Sequence, residues 1–380
     1  MGKRIQVGRR NPVRVLLTGY VGNNNLGDDL MMMKTIAFLQ KTYPDIEITV
    51  LIRYQGKVKR QCYGSDIKII NLHWFRLGKI KETVYRYFIM PGYDLTLWVG
   101  GTCFADIGGN GLYSYFKHNI SKKHAFGYVG IGIDYLEDSL KQKQAKELFE
   151  NSSLTVFRDV VSARKLPELG LEAGKTSEDI AYLALDEIVN TKSKKNRLLV
   201  SWRYQSQYMD KQAEDRHIQV LLDTVEKIAQ QYDEIVFLPI DEHMDGGVNR
   251  RLANCMQTKT DVTVRCIDHM DAYEKMKFIS ESKDYICGRL HGVLIGELAG
   301  CNVVSLNYSL KMDIFTEVIN RQCDVVPVNQ LSTEQIRSAL AAGAMEEKER
   351  LQLFNEKKQS AELNYKYLAE VMDRIYEEKA

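Results

Sequence analysis

Residues 286–300 read ICGRLHGVLIGELAG. The run DYIC that ends at Cys287 is short and mostly apolar, and from Gly292 onward small and apolar residues resume. A buried parallel strand handing over to a helix has this pattern. At such a junction the first N–H groups of the helix lack partners within it and point into the space beyond the strand. Arg289 and His291 stand at that place. Arg supplies a two-pronged donor for carboxylate or phosphate, the helix N-terminus favours negative charge, and His moves a proton near neutral pH. Together they suit a small dianion. The alternative is internal, with the two side chains satisfying loop carbonyls.

The same alternation of strand and helix runs outward from this stretch in both directions. Strands are expected at VRVLLTGY (13–20), IEITVLIR (46–53), IKIINL (67–72), LTLWVGG (95–101), HAFGYVGIGI (124–133) and LTVFRD (154–159). Helices are expected at LMMMKTIAFLQKTY and LKQKQAKELFENS (140–152), and TSEDIAYLAL closes this half. The polar, Lys-rich break IVNTKSKKNR (188–197) reads as a linker. The pattern restarts at LLVSWRY (198–204), continues through a helix over 212–232, EIVFLPID (234–241), a weak strand at VTVRCI and a helix over 271–282, and ends with DYIC and NVVSLNYS. From Ser332 the period is helical, opening on Ser332-Thr333-Glu334-Gln335 with the spacing of a capping box. The expected fold is α/β, with Rossmann-like domains at 12–187 and 197–330 and helices over 332–380. In doubly wound sheets ligands bind past the carboxyl ends of the strands, so the cleft between the halves is the expected site.

Composition narrows the function. A chain of 380 residues, 44% hydrophobic and 27% charged, can build two ordinary globular cores. A net charge of +2 with no dense basic block argues against a nucleic-acid partner. Cys62, Cys103, Cys255, Cys266, Cys287, Cys301 and Cys323 never fall into C-x-x-C spacing, and the histidines show no ligand spacing. Reduced thiols and no metal site are therefore expected. The basic start MGKRIQVGRRNPVR has no apolar signal core, and no apolar run approaches the ~18 residues that span a bilayer. A cytoplasmic protein is expected. HWFRLGKIKETVYRYFIMPGY (73–93) interleaves aromatic with basic residues, as a core-packing helix or as one lying on a membrane surface. The second option would bring the protein to the cytoplasmic face of the membrane.

Other strand ends carry candidate groups. GYVGNNNLGDDL (19–30) matches neither dinucleotide nor P-loop spacing. Asp28 and Asp29 would repel a phosphate there, so the loop reads either as a rigid turn offering Asn and Asp side chains to a cleft or as a plain cap with turn glycines. Gly100 and Gly101 permit a ligand close to the backbone, or serve an ordinary loop. Arg203 follows the first strand of the second half. Tyr308 and Lys311 follow the strand after the Arg-Leu-His triplet and reach the same rim. Glu178 and Asp179 end the first half facing the cleft.

Taken in order, G-x-x-G-x-x-N-x-G-D from Gly19, R-D-x-x-S from Arg158, Ser201-Trp202-Arg203, R-L-H-G from Arg289 and Y-x-x-K from Tyr308 resemble the polysaccharide pyruvyltransferase family. The resemblance runs from about Val13 to Phe315. It leaves out the first eleven residues, and EHMDGG after FLPID departs from the family pattern. The resemblance implies a two-domain arrangement similar to the GT-B glycosyltransferases. It also implies transfer of a pyruvyl group from phosphoenolpyruvate to two hydroxyls of a sugar, giving a cyclic ketal and phosphate, with no further cofactor. Arg203, Arg289, Leu290 and His291 would bind phosphoenolpyruvate, joined on the donor side by Gly292, Tyr308 and Lys311. Asn25, Gly100, Gly101 and Asp179 are the expected acceptor side, for a glycan that is free or carried on a polyprenyl diphosphate. His291 is the expected acid, toward the methylene carbon or the departing phosphate, and Asp28 or Asp29 the group that activates the acceptor. The competing functions are a GT-B glycosyltransferase using a nucleotide sugar and a non-catalytic glycan-binding relative.

Overall fold

The computed structural model describes residues 12–53, 63–64, 66–74, 78–188, 194–205, 209–319 and 325–380. The basic start, residues 189–193 of the expected linker and residues 75–77 of the aromatic-basic segment lie outside this set. The first half carries β1 (Arg14–Thr18), β2 (Glu47–Ile52), β3 (Lys68–Asn71), β4 (Leu95–Val99), β5 (Thr102–Ala105), β6 (Gly109–Asn110), β7 (Ala125–Ile133), β8 (Leu154–Phe157) and β9 (Lys175–Thr176). They join in the order β3-β2-β1-β4-β7-β5-β6, with β8 and β9 continuing from β7. The second half carries β10 (Lys195–Ser201), β11 (Glu234–Phe237), β12 (Thr263–Cys266), β13 (Ser282–Cys287), β14 (Asn302–Asn307) and β15 (Val325–Pro327), in the order β12-β11-β10-β13-β14-β15. Among the described strands only the β5–β6 pairing is antiparallel. No helix of the described residues is long and apolar enough to cross a membrane.

Central strands are apolar throughout because helices cover both faces. All five residues of β4 are buried. The helix Leu26–Thr42 shows why a run such as LMMMKTIAFL carries little amphipathic period. Leu30, Met31 and Met32 are fully buried, and Leu26 through Met33 face protein on every side. A helix apolar all round belongs inside a protein, and this one lies between the two sheets. One apolar cluster accordingly contains Leu17 and Val50 of the first sheet with Leu199, Val236 and Tyr285 of the second.

The C-terminal helices divide their allegiance. Thr333–Ala342 stays with the second half, where Thr333 Oγ1 accepts from Thr224 Oγ1 at 3.0 Å. Glu347–Ala361 and Leu363–Glu378 cross back to the first half. Tyr365 stacks on Phe38 with ring centroids 4.4 Å apart, and Ser177 Oγ donates to the Ser360 carbonyl at 2.8 Å.

The seam between the halves is polar at one point. Asn25 and Asp241 form an isolated antiparallel bridge, and Leu26 N donates to the Ile240 carbonyl at 3.0 Å. Lys275 Nζ donates to the carbonyls of Asn24, at 2.6 Å, and Ile240, at 3.2 Å. Burial pushes this ammonium down to about 8, against the pull of Asp29, Glu242 and Asp241. Replacing it with an apolar chain of similar length removes one donor from each of these carbonyls and takes a buried positive charge away from Asp29, Glu242 and Asp241. Lys275→Met is therefore expected to lose about 3 kcal/mol in urea unfolding. A loss under about 1 kcal/mol would show that the seam holds without the ammonium.

Candidate active site

Arg289 caps the helix Leu290–Leu298 in an extended conformation, where β13 ends. Its guanidinium is engaged within the protein. Nε and Nη2 donate to the two oxygens of Asp245, each at 2.8 Å, and Asp241 lies 3.6 Å away. Asp245 is fully buried and also accepts from Tyr204 N at 3.1 Å. Burial alone would loosen the guanidinium proton, but the Asp245 and Asp241 carboxylates outweigh it and hold it above the ordinary arginine range. The two-pronged edge expected to meet a ligand thus meets Asp245. That carboxylate comes from EHMDGG, the stretch that departs from the family pattern, which forms the start of the helix Glu242–Gln257.

His291 is held from the opposite half. Its Nε2 lies 3.3 Å from Asp179 Oδ2, and Arg158 Nη1 donates to the same oxygen at 3.3 Å. Arg158 Nη2 reaches Thr102 Oγ1 at 3.0 Å. Burial would raise the Asp179 carboxyl, but His291, Arg158 and the Ala181 N–H hold it below the ordinary carboxylate range. The imidazole lies directly on Gly27: a Cβ there would fall 1.8 Å from Nδ1. Gly27 in the first half is therefore what allows the second half's histidine to reach Asp179.

Asp179, Arg158 and Thr102 line one wall of a pocket of about 210 Å³, with Leu290 and Lys311 from the second half on another. Arg203 and Tyr308 form a neighbouring cluster, the guanidinium carbon 3.8 Å from the ring centroid. Asp179, Leu290 and Lys311 thus line one pocket, His291 meets its wall through Asp179, and Arg203 and Tyr308 pack on each other while Arg289 is held by Asp245.

Several expected residues serve the protein's own packing. The Asn25 side chain accepts from Gly27 N at 3.2 Å and donates to Asp241 at 3.4 Å, so it caps a helix and closes the seam. Gly100 and Gly101 take φ of 63° and 74°, and a Cβ at either would meet Met31 or Tyr20. What approaches their backbone closely is the chain itself. A Cβ at Gly292 would fall 2.5 Å from Cys287 Sγ, so this glycine lets its helix close onto β13. Asp29 is buried and accepts from Tyr63 Oη at 2.6 Å. Burial pushes its carboxyl up to about 6. Asp28 is pushed up to about 8 by burial, then by Asp29 and Asp241, against Arg158 and Lys311. Sequence reasoning named Arg158 only within a motif and did not single out Asp245 and Gly27, which contact Arg289 and His291. The Arg158-Asp159 pair at a strand end was a usable signal. The carboxylates at 241 and 245, one helical turn apart after a strand, were another.

The chain belongs to the polysaccharide pyruvyl transferase family, whose model matches residues 25–309. No curated protein matches it in sequence. Solved structures share its fold. A putative UDP-N-acetylglucosamine 2-epimerase from Listeria monocytogenes is 13% identical, with a TM-score of 0.65 over 97% of this chain and 98% of that one. The UDP-GlcNAc 2-epimerase of Neisseria meningitidis, solved with UDP-GlcNAc, is 11% identical, with a TM-score of 0.63 over 95% and 100%. A glycosyltransferase from Rickettsia africae is also 11% identical, with a TM-score of 0.56 over 97% and 98%. The likeness is one of fold: two facing Rossmann-like halves of GT-B type followed by C-terminal helices.

The Asp28 carboxyl gives a test in pH. The folded chain keeps a proton that the unfolded chain releases above about pH 4. The stability this contributes is complete below that value and is lost as pH rises toward about 8. Asp28→Asn, neutral and of equal size, is expected to melt progressively higher than the wild type between about pH 4 and about pH 8. A difference in Tm that stays constant with pH would mean that Asp28 ionises as an ordinary carboxylate.

Proposed function

We propose that the protein transfers the pyruvyl group of phosphoenolpyruvate to two hydroxyls of a sugar in a polysaccharide or its lipid-linked precursor. Family membership supports a transferase acting on polysaccharides. The observation that carries the finer statement is the setting of His291. Its imidazole is braced by the buried Asp179 of the other half, beside a largely apolar pocket lined by Arg158, Lys165 and Lys311 and also by Asp134, Asp159, Glu178 and Asp179. Lys165 and Lys311 are the cations that would pair with the carboxylate and phosphate of a small dianion, since Arg158 is engaged by Asp179. Arg203 packs on Tyr308, while Arg289, bound to Asp245, chiefly fixes the start of its helix.

The reaction needs three proton movements. The methylene carbon of the enol phosphate takes up a proton, leaving C2 electron-poor. The first sugar hydroxyl bonds to C2 and loses its proton. The C2–O bond to phosphorus then breaks, phosphate leaves with the electron pair, and the second hydroxyl bonds to C2 and gives up its proton. One hydroxyl proton replaces the one delivered to carbon, and the other leaves with phosphate. In this scheme His291, facing Asp179, delivers the proton to carbon. Asp28, whose carboxyl is pushed up to about 8, is a stronger base when ionised than an ordinary aspartate and takes a hydroxyl proton in that fraction of the enzyme.

Phosphate release from phosphoenolpyruvate with an acceptor glycan tests the reading. His291→Gln is expected to slow it by about 100-fold or more. Gly27→Ala is expected to act similarly and to lower the melting temperature as well, because its methyl displaces the buried imidazole from Asp179. Near wild-type turnover in His291→Gln would remove the acid assignment. Binding can be read separately, since a ligand at about 100 times its Kd adds about 2.7 kcal/mol to the folded state. Phosphoenolpyruvate is expected to raise Tm in the wild type and to do so less in Lys311→Ala. Stabilisation by a nucleotide sugar and not by phosphoenolpyruvate would favour glycosyl transfer.

A further inference from the structure

The segment between β3 and β4 turns an apolar stripe to solvent. A short helix, Gly78–Val84, runs into a π-helical turn, Tyr85–Ile89. Its inner side is Tyr85 and Ile89, both buried, with Tyr85 Oη donating to Asn119 Oδ1 at 2.7 Å and its ring packed on Tyr115. The helix therefore already has its core contact. Ile80, Tyr87 and Phe88 lie on the other side at spacings of seven and one, 43%, 58% and 80% exposed. Phe88 is the most exposed large apolar side chain among the described residues.

Charge around the stripe is one-sided. Lys79 is exposed beside Ile80, and the Arg86 guanidinium lies 4.9 Å from the centroid of Tyr87. Lys122 and Lys123, both exposed, end the neighbouring helix Tyr113–Lys122, and Lys123 shares a groove with Pro91 and Gly92. The carboxylate within the segment, Glu82, is engaged by Lys117 at 2.9 Å and His118 at 2.8 Å. The groove that Lys123 shares also holds Asp94, which is paired with Lys379 at 2.6 Å, and Glu378. Lys81 Nζ donates to the Arg53 carbonyl at 3.4 Å, just past the end of β2. The segment thus begins at the same edge of the first sheet from which the pocket opens.

We propose that this face docks on an anionic lipid surface. Ile80, Tyr87 and Phe88 enter the headgroup layer, and Lys79, Arg86, Lys122 and Lys123 lie over lipid phosphates. Aromatic rings favour that boundary, and basic residues around an apolar stripe add electrostatic attraction that salt weakens. The inference rests on this surface alone and stands apart from the chemistry proposed for the pocket.

The test is co-sedimentation of the full chain with phosphatidylglycerol–phosphatidylcholine vesicles and with phosphatidylcholine vesicles, at low and high salt. Sedimentation velocity is run in parallel without lipid. The wild type is expected to partition onto the anionic vesicles, weakly onto the neutral ones, and less at high salt. Tyr87→Ser combined with Phe88→Ser is expected to lower the partition coefficient at least about tenfold with unchanged Tm. Lys122→Glu combined with Lys123→Glu is expected to weaken binding to anionic vesicles only. Indifference of the wild type to anionic vesicles would overturn the proposal, as would unchanged binding in the serine variant. So would a wild-type dimer that the serine substitutions convert to monomer without affecting vesicle binding, since the stripe would then be a self-association face.

Discussion

A buried ammonium, with no carboxylate in direct contact among the described residues, ties the two halves at the polar point of their seam. Lys275 reaches from the second half to the carbonyls of Asn24 and Ile240, one on each side. Asn24 takes φ of 56°, a conformation that turns its carbonyl toward the lysine and lets Asn25 pair with Asp241. Everything the pocket needs follows from that register. The helix Leu26–Thr42 enters between the sheets, Gly27 comes under the imidazole of His291, and Asp179 comes within reach of it. A shift at the seam of the size of one methyl group would separate the histidine from its carboxylate.

Asp179, Asp245 and Asp28 are all buried and yet behave differently, and their partners explain why. Asp179 has His291 and Arg158 against it and remains ionised. Asp245 receives both prongs of Arg289. Asp28 has like charges nearby in Asp29 and Asp241, with Arg158 and Lys311 weaker influences, so its neutral form is favoured. Groups of one chemical type are thereby tuned apart, the arrangement by which a site can hold an acid and a base at one pH. Glycine assists at two of these points by leaving room: Gly27 for His291, and Gly132, where a Cβ would lie 3.0 Å from the Arg158 guanidinium.

Much of the fold was legible because burial on both faces leaves strands as continuous apolar runs. IEITVLIR and LTLWVGG contain β2 and β4 within one or two residues of their ends. VTVRCI, weak as a pattern, holds β12, an edge strand paired on one side only, where Thr263 and Arg265 face solvent. The aromatic-basic segment was open in sequence between a core helix and a surface one. The structure makes it both, since the π-helical turn sets Tyr85 and Ile89 inward and Tyr87 and Phe88 outward. The return of the last two helices to the first half was not legible. Their period shows that they bury one face, but not which surface receives it.

At the site, the sequence by itself determined the kinds of group present and the strand ends that carry them: Arg289 and His291 at a helix start, Asp28 and Asp29 on the first loop, Asp179 closing the first half. Residue type and strand period are local properties, and they are written in the order of the chain. Only the tertiary structure decided which of these groups meet. It gave the guanidinium of Arg289 to Asp245, joined His291 to Asp179 across the seam, and turned Asn25, Gly100, Gly101 and Gly292 to the packing of the protein itself. These pairings link residues 44 and 112 positions apart in sequence. The first follows from the order of strands within the second sheet and the second from how the two sheets face each other, and no local period encodes either.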